Sequence, residues 1–140
     1  LLRVMETQWR KDLKSTPSID PSSIEARIAR GAILPSAPLV VWIFTDTAAA
    51  HTYPDSQRTT SERDMFLLSA GAAAQNVMVT LAAHGVGSAW IGSSVFCAEV
   101  VHTHLGLVDT LVPAGALAVG YPKEAPTERP ERTISEFLLP

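Results

Sequence analysis

Several features that would assign this chain to a common class of protein are scarce or missing. The 140 residues contain one cysteine, Cys97, so no disulfide can form within the chain, which is typical of a reducing compartment. Lysine and arginine total 11 against 14 aspartates and glutamates, a net charge of −3. Without a basic excess, nucleic acid is not expected as the main partner. These counts favour a cytoplasmic protein that acts on something other than nucleic acid.

The strings that mark common catalytic sites are missing too. There is no Walker A or G-x-S-x-G sequence, and a dinucleotide-binding fingerprint would need glycine where the chain has Trp90. His102 and His104 form an H-x-H pattern, but on a helix their rings point about 200° apart, so we predict no metal site there. Cys97 is predicted to be a small buried hydrophobe rather than a nucleophile. The catalytic residues therefore stay unassigned.

What the chain does have is apolar sequence, 46% of all residues, which predicts a folded domain with a small core. The most apolar stretch, residues 65–83, is long enough to span a membrane. Gln75 and Asn76 lie at its centre, and it is rich in alanine. We therefore interpret it as a buried helix of a soluble protein, with no membrane partner.

Apolar spacing and caps predict an α+β chain with few strands. Helices are expected over residues 1–13, from Asp20-Pro21 to Pro35, over 61–84 and over 96–105. Strands are expected over 39–44, covered on both faces, and over 88–91 and 114–119. A long loop is expected over 45–60, and a tail over 122–140 whose end is held by apolar residues: Ile134, Phe137, Leu138 and Leu139. The first helix lacks an initiator Met and an N-cap, which suggests that residues 1–140 are the C-terminal part of one domain.

Small residues are concentrated in two neighbouring segments. Residues 69–76 place a row of them on the long helix, which suits either a tight helix–helix contact or a flat ligand. Three glycines follow around the short strand, at Gly85, Gly87 and Gly92. Because Gly92 comes directly after the strand, its backbone amide can face a ligand with no side chain in between.

The run from Gly71 to Phe96 resembles the FMN-binding core of the nitroreductase family. The resemblance consists of a small-residue helix ending in Gln-Asn, then Gly-aliphatic-Gly-Ser, then Trp-Ile-Gly. Strings around Trp9 and Asp12, and the segments 51–55 and 93–96, resemble one branch of that family. That branch is the C-terminal, nitroreductase-like domain of the bifunctional coenzyme F420 biosynthesis protein (coenzyme F420:L-glutamate ligase).

The resemblance implies a nitroreductase-like fold, incomplete at the N-terminus, and a cytoplasmic homodimer with FMN at its interface. It implies an FMN-dependent oxidoreductase that reduces a dehydro precursor of coenzyme F420; the γ-glutamyl ligase domain is absent from the chain. A general NAD(P)H-dependent nitro or quinone reductase is the alternative enzyme. A truncated, non-catalytic dimer that binds flavin or deazaflavin is the alternative outside catalysis.

Four residues take a role from the resemblance. Gly92 matches the glycine whose backbone meets the flavin ring. Arg129 matches an arginine on the FMN phosphate, with Arg132 as its substitute if the tail alignment slips by three residues. Asp12 matches a residue near the deazaflavin substrate; its alternative is a solvated carboxylate on a helix.

Overall fold

The computed structural model of the chain describes residues 1–124, 127, 130, 131 and 133–138. Its helices are α1 (Leu2–Ser15), α2 (Ile24–Ala29), α3 (Ile33–Ser36), α4 (Ser56–Ala83), α5 (Ser93–Phe96) and α6 (Ala98–Leu105). Its strands are β1 (Leu39–Asp46), β2 (Gly87–Ile91) and β3 (Leu111–Gly120). Short 3₁₀ turns occupy Pro21–Ser23, Arg30–Ala32 and Ile134–Glu136.

The three strands form one antiparallel sheet in the order β1-β3-β2. The central strand β3 carries the most deeply buried residues of the sheet, among them Leu117. A β-bulge interrupts its pairing with β1, since Ile43 lies opposite Gly115 while Phe44 lies opposite Pro113. Gly115 has φ +134°, a backbone conformation that residues with a side chain rarely adopt, so glycine is required at this bulge.

Two small apolar clusters join the helices to the sheet. In the first, Met5 of α1 packs with Cys97 and with Val101 of α6. In the second, Leu34 of α3 packs with Ala116 and Ala118 of β3. The prediction that Cys97 is a buried hydrophobe is confirmed, and desolvation, followed by the charge of Asp12, raises the pKa of its thiol.

Most local signals in the sequence are confirmed. The first helix spans nearly the predicted residues, and the Asp20 side chain accepts a hydrogen bond from the amide of Ser22 as an N-cap. The glycines that end α4 and α6, Gly85 and Gly106, both have the positive φ of a helix C-terminus.

The predicted start of the long helix at Ser61 is wrong by five residues. The helix begins at Ser56, because the Asp55 carboxylate accepts hydrogen bonds from the backbone amide of Arg58 at 2.8 Å and from its side chain at 2.5 Å. These bonds lower the pKa of Asp55 below its usual value. The predicted loop 45–60 is correspondingly shorter, since β1 extends to Asp46 and α4 begins at Ser56.

Three burial predictions are also wrong within this chain. Strand β1 is an edge strand with Leu39 and Val41 exposed, because no layer covers that side of it. Helix α4 is long and apolar enough to cross a membrane by length and composition, yet only 6% of its most apolar 18-residue segment is buried. One face of the helix packs on the small sheet, and apolar residues elsewhere on it are exposed: Met65, Leu68, Val77 and Val79. In the tail, Ile134, Phe137 and Leu138 are exposed and not part of the buried core, and Leu139 lies outside the described residues.

Candidate functional site

A cavity of about 490 Å³ lies between α4 and the sheet, beside the segment that carries the sequence resemblance. We call it the α4 cavity. It is lined by residues of α4, β2, β3 and α5: Leu67, Gly71, Ala74, Gln75, Met78, Trp90, Val95 and Ala114. None of these residues is charged, and Gln75 is the one with an amide side chain. The α4 cavity therefore suits an apolar, flat group with a polar edge.

The wall formed by α4 is shaped by the row of small residues. Gly71 lies in the middle of the helix, where glycine costs about 0.5–1 kcal/mol relative to alanine. A Cβ built on Gly71 meets no described atom within 4 Å, the neighbouring part of its own helix aside. Packing inside this chain therefore does not explain why the position is glycine, and the space beside it is open to a ligand or a second protein surface.

The opposite wall is the indole of Trp90, which lies across two glycines. A Cβ built on Gly92 would come within 2.9 Å of the indole Cη2, and one built on Gly115 within 2.7 Å of its Cε2. Only glycine lets the ring approach the backbone this closely at both positions. Trp90 remains 49% exposed and lines the α4 cavity. One part of the indole is thus covered by backbone, while another part faces the cavity.

Gly92 is placed at the junction of β2 and α5, as the N-cap of α5 with φ −86°. Its Cβ side is occupied by Trp90, which is a reason for glycine that sequence reasoning missed. In the following turn, the backbone amide of Val95 donates a hydrogen bond of 3.0 Å to the carbonyl oxygen of Gly92. Two residues after Gly92, the hydroxyl of Ser94 is buried and has no hydrogen-bond partner among the described residues.

Asp12 lies in a different cavity, of about 560 Å³, between α1 and the α5–α6 segment. Its Oδ1 accepts a hydrogen bond of 2.8 Å from the side-chain amide of Gln8, one turn earlier on α1. Side chains of both charge signs line this cavity, with Lys11 on one hand and Asp12 and Glu99 on the other, and His104 lines it as well. The two cavities share no lining residue, and Gly92 lines neither of them, although Trp90, two residues earlier, lines the α4 cavity. Asp12 and Gly92 are therefore not brought into one site within the described part of the chain.

Comparisons with known proteins identify the family of this chain. The model of the nitroreductase family matches residues 5–121. The chain belongs to the nitroreductase family. A solved structure of a nitroreductase-like family protein from Bacillus cereus is similar to it with a TM-score of 0.58 and 22% identity, over 98% of this chain and 66% of that one. A mutant of the FMN and NADPH-dependent nitroreductase NfnB from Sphigopyxis sp. strain HMH is similar with a TM-score of 0.52 and 18% identity, over 98% of this chain and 57% of that one.

The prediction of a nitroreductase-like α+β fold is thereby confirmed. This nitroreductase chain spans less than two thirds of the length of either solved structure. At these identities the two structures support the fold and say nothing of individual site residues.

The α4 cavity fits the ring system of FMN better than its phosphate. Gly71 leaves open space on one side, and the indole of Trp90 faces the cavity on the other. The lining residues offer no cation to a phosphate. Arg129 and Arg132, predicted for that role, lie outside the described residues, so their assignment stays a prediction.

Of the residues that the sequence predicts for the site, members of the small-residue row line the α4 cavity, whereas Gly92 does not. The sequence assigns no role to Trp90, although it belongs to the Trp-Ile-Gly string, and none to Gly115. A glycine inside the predicted strand 114–119 was the available signal, because an isolated strand glycine often marks a bulge or a close approach. Its partner could not be named, since Trp90 and Gly115 meet only across the sheet.

Proposed function

We propose that this nitroreductase-family chain forms the core of a cytoplasmic, FMN-dependent oxidoreductase that acts on a small organic molecule. The observation that carries the proposal is the α4 cavity, uncharged and open beside Gly71, next to the Trp-Ile-Gly segment that ends at Gly92. FMN, when bound, supplies hydride transfer that amino-acid side chains cannot perform themselves.

The chain's own residues would bind and orient the flavin. The backbone around Gly92 presents amides at the start of α5, and Gln75 offers both an N–H donor and a carbonyl acceptor to the polar edge of a ring. The apolar remainder of the lining would keep water from the ring. We assign the phosphate to Arg129, with Arg132 as the alternative, because a guanidinium binds phosphate through two parallel hydrogen bonds.

A homodimer is part of this proposal. The exposed apolar residues of α4 lie on a 28-residue helix whose most apolar window is almost unburied. A second copy covering this face would bury it on both chains at once, as an isologous interface does. The open space beside Gly71 would then adjoin the dimer interface.

The narrower substrate, a dehydro precursor of coenzyme F420, rests on the sequence strings around Trp9 and Asp12. Asp12 is held in place by Gln8, within a cavity that offers charges of both signs. A substrate bound there would have to meet the flavin across α5, or in a site completed by the second copy. General nitro or quinone reduction does not need a carboxylate at position 12, so the variant Asp12→Asn distinguishes the two substrate classes. Loss of turnover with the deazaflavin precursor but not with a quinone supports the narrower substrate.

The proposal is tested by the colour and stoichiometry of the purified protein. We expect an absorption band of bound flavin and about one FMN per chain after reconstitution. Gly92→Asp should lose FMN while keeping its helical circular dichroism, since the added side chain displaces Trp90 and places a carboxylate at the flavin. Gly106→Asn is the matched control, because it lies at the end of α6 with open space around it. A colourless protein that binds neither FMN nor riboflavin would leave only the non-catalytic dimer.

A further inference from the structure

We propose that the indole of Trp90 is the platform on which the flavin ring stacks, and that Gly92 and Gly115 serve to seat it. The inference rests on the proposed FMN site and names the side chain that contacts the ring there. The sequence resemblance assigns the contact with the flavin ring to the backbone of Gly92 and gives Trp90 no role.

The indole packs unusually close to the backbone of the two glycines. The Cβ position of Gly92 lies 2.9 Å from Cη2 and 3.2 Å from Cζ3, under the six-membered ring. The Cβ position of Gly115 lies closest to Nε1 of the indole, and it lies 2.7 Å from Cε2 and 3.0 Å from Cζ2. One glycine directly after β2 and one at the bulge inside β3 therefore both lack a side chain where the same indole packs. Because both contacts are with backbone, the ring is held in place by the rigid part of the fold.

This seat leaves a large aromatic surface exposed. Trp90 is 49% exposed, and it lies on the edge strand β2, paired with Leu117 of the central strand. Aromatic rings gain from stacking on other rings in addition to the area that they bury. An indole fixed by backbone loses little conformational freedom when a ring stacks on it, which favours binding.

The opposite wall of the cavity leaves space for a flat group. Outside its own helix, none of the described atoms lies within 4 Å of the Cβ position of Gly71, and Ala74, one turn further on, is small and buried. The slot between these residues and Trp90 is thus bounded by an aromatic surface on one side and by small aliphatic residues on the other. A side chain from a second copy is the competing occupant, and the experiment distinguishes the two.

Flavin emission reports directly on the proposed contact, because an indole in van der Waals contact quenches an excited flavin by electron transfer. We would compare the full chain with Trp90→Leu and Trp90→Phe, and use Trp42→Phe as the matched control, since Trp42 packs against the two core clusters. FMN and riboflavin are the probes, titrated by fluorescence, with far-ultraviolet circular dichroism and sedimentation recorded for every variant.

We expect Trp90→Leu to weaken both flavins by the same factor, about five- to tenfold, because stacking involves the ring and not the phosphate. Trp90→Phe should retain much of the affinity for flavin and should still increase the fluorescence of the bound flavin. Trp42→Phe should change neither the affinity nor the fluorescence. As a second variant, Gly71→Leu should block flavin binding by filling the slot from the opposite wall.

Unchanged affinity and unchanged emission of bound FMN in folded Trp90→Leu and Trp90→Phe would overturn this inference and leave the FMN site intact. Dissociation of a dimer in Trp90→Leu without any change in flavin binding would also overturn it, by placing Trp90 in the interface. A native chain that binds neither flavin would overturn the FMN site itself, and this inference with it.

Discussion

Replacing Gly115 with alanine tests how the indole of Trp90 is seated. The added methyl group lowers the stability of the fold in two ways, through strain in the backbone and through steric overlap with the indole. At φ +134° a residue with a side chain is strained by about 1–3 kcal/mol. The Cβ also lies 2.7 Å from Cε2 of the indole, so the ring must move, and overpacking of this kind costs about 1–3 kcal/mol. We therefore expect Gly115→Ala to lower the free energy of unfolding by about 2–6 kcal/mol.

Two other glycines separate these costs. Gly92 has an ordinary φ of −86° and a Cβ position 2.9 Å from the indole, so Gly92→Ala should show the steric cost alone, about 1–3 kcal/mol. Gly106 has φ +63° with nothing within 4 Å, so Gly106→Ala should show the backbone cost alone, about 1–2 kcal/mol.

The assay is urea unfolding of each variant in the native and the Trp90→Ala backgrounds, read as double-mutant cycles. Removing the indole should make Gly92→Ala almost neutral and should relieve Gly115→Ala only in part, leaving the backbone cost of about 1–3 kcal/mol. Gly106→Ala should cost the same in both backgrounds. If Gly92→Ala were equally destabilising with and without the indole, the contact with Trp90 would not be the reason for glycine there.

Three further predictions test the interface, the phosphate site and the start of α4. Ala73→Glu, on the exposed surface of α4, should convert a dimer to a monomer in sedimentation, and a native protein that is already monomeric would contradict the proposed interface. Arg129→Ala should weaken FMN by about ten- to a hundredfold and leave riboflavin nearly unchanged, whereas the same pattern with Arg132→Ala alone would move the assignment by three residues. Asp55→Ala should reduce helicity and thermal stability while Ser61→Ala should not, because Asp55 caps α4. These hydrogen bonds lower the pKa of Asp55 in the folded protein. The stabilisation of the fold by Asp55 should therefore be present above a pH of about 3.9, the ordinary aspartate pKa, and should disappear as the pH falls through the lowered folded-state pKa. In Asp55→Ala this part of the loss of stability at low pH should be missing.

The sequence by itself determined the features that depend on neighbours along the chain. The apolar stripe of α1, the cap at Asp20 and the helix-ending glycines Gly85 and Gly106 were all predicted from local patterns and confirmed. The number of strands and the nitroreductase-family fold also followed from residues that are close in sequence. Such signals succeed because capping and periodicity involve hydrogen bonds and contacts within one or two turns.

Only the tertiary structure decided which surfaces are covered and which residues meet. The apolar character of β1 and α4 predicted burial, but a three-stranded sheet is too small to cover either, so both remain exposed within the chain. The same structure packs Trp90 against Gly92 and Gly115, and it places Asp12 in a cavity that shares no lining residue with the α4 cavity. These relations join residues far apart in the sequence, and they depend on the order and register of strands and on the packing of helices, which no local pattern encodes.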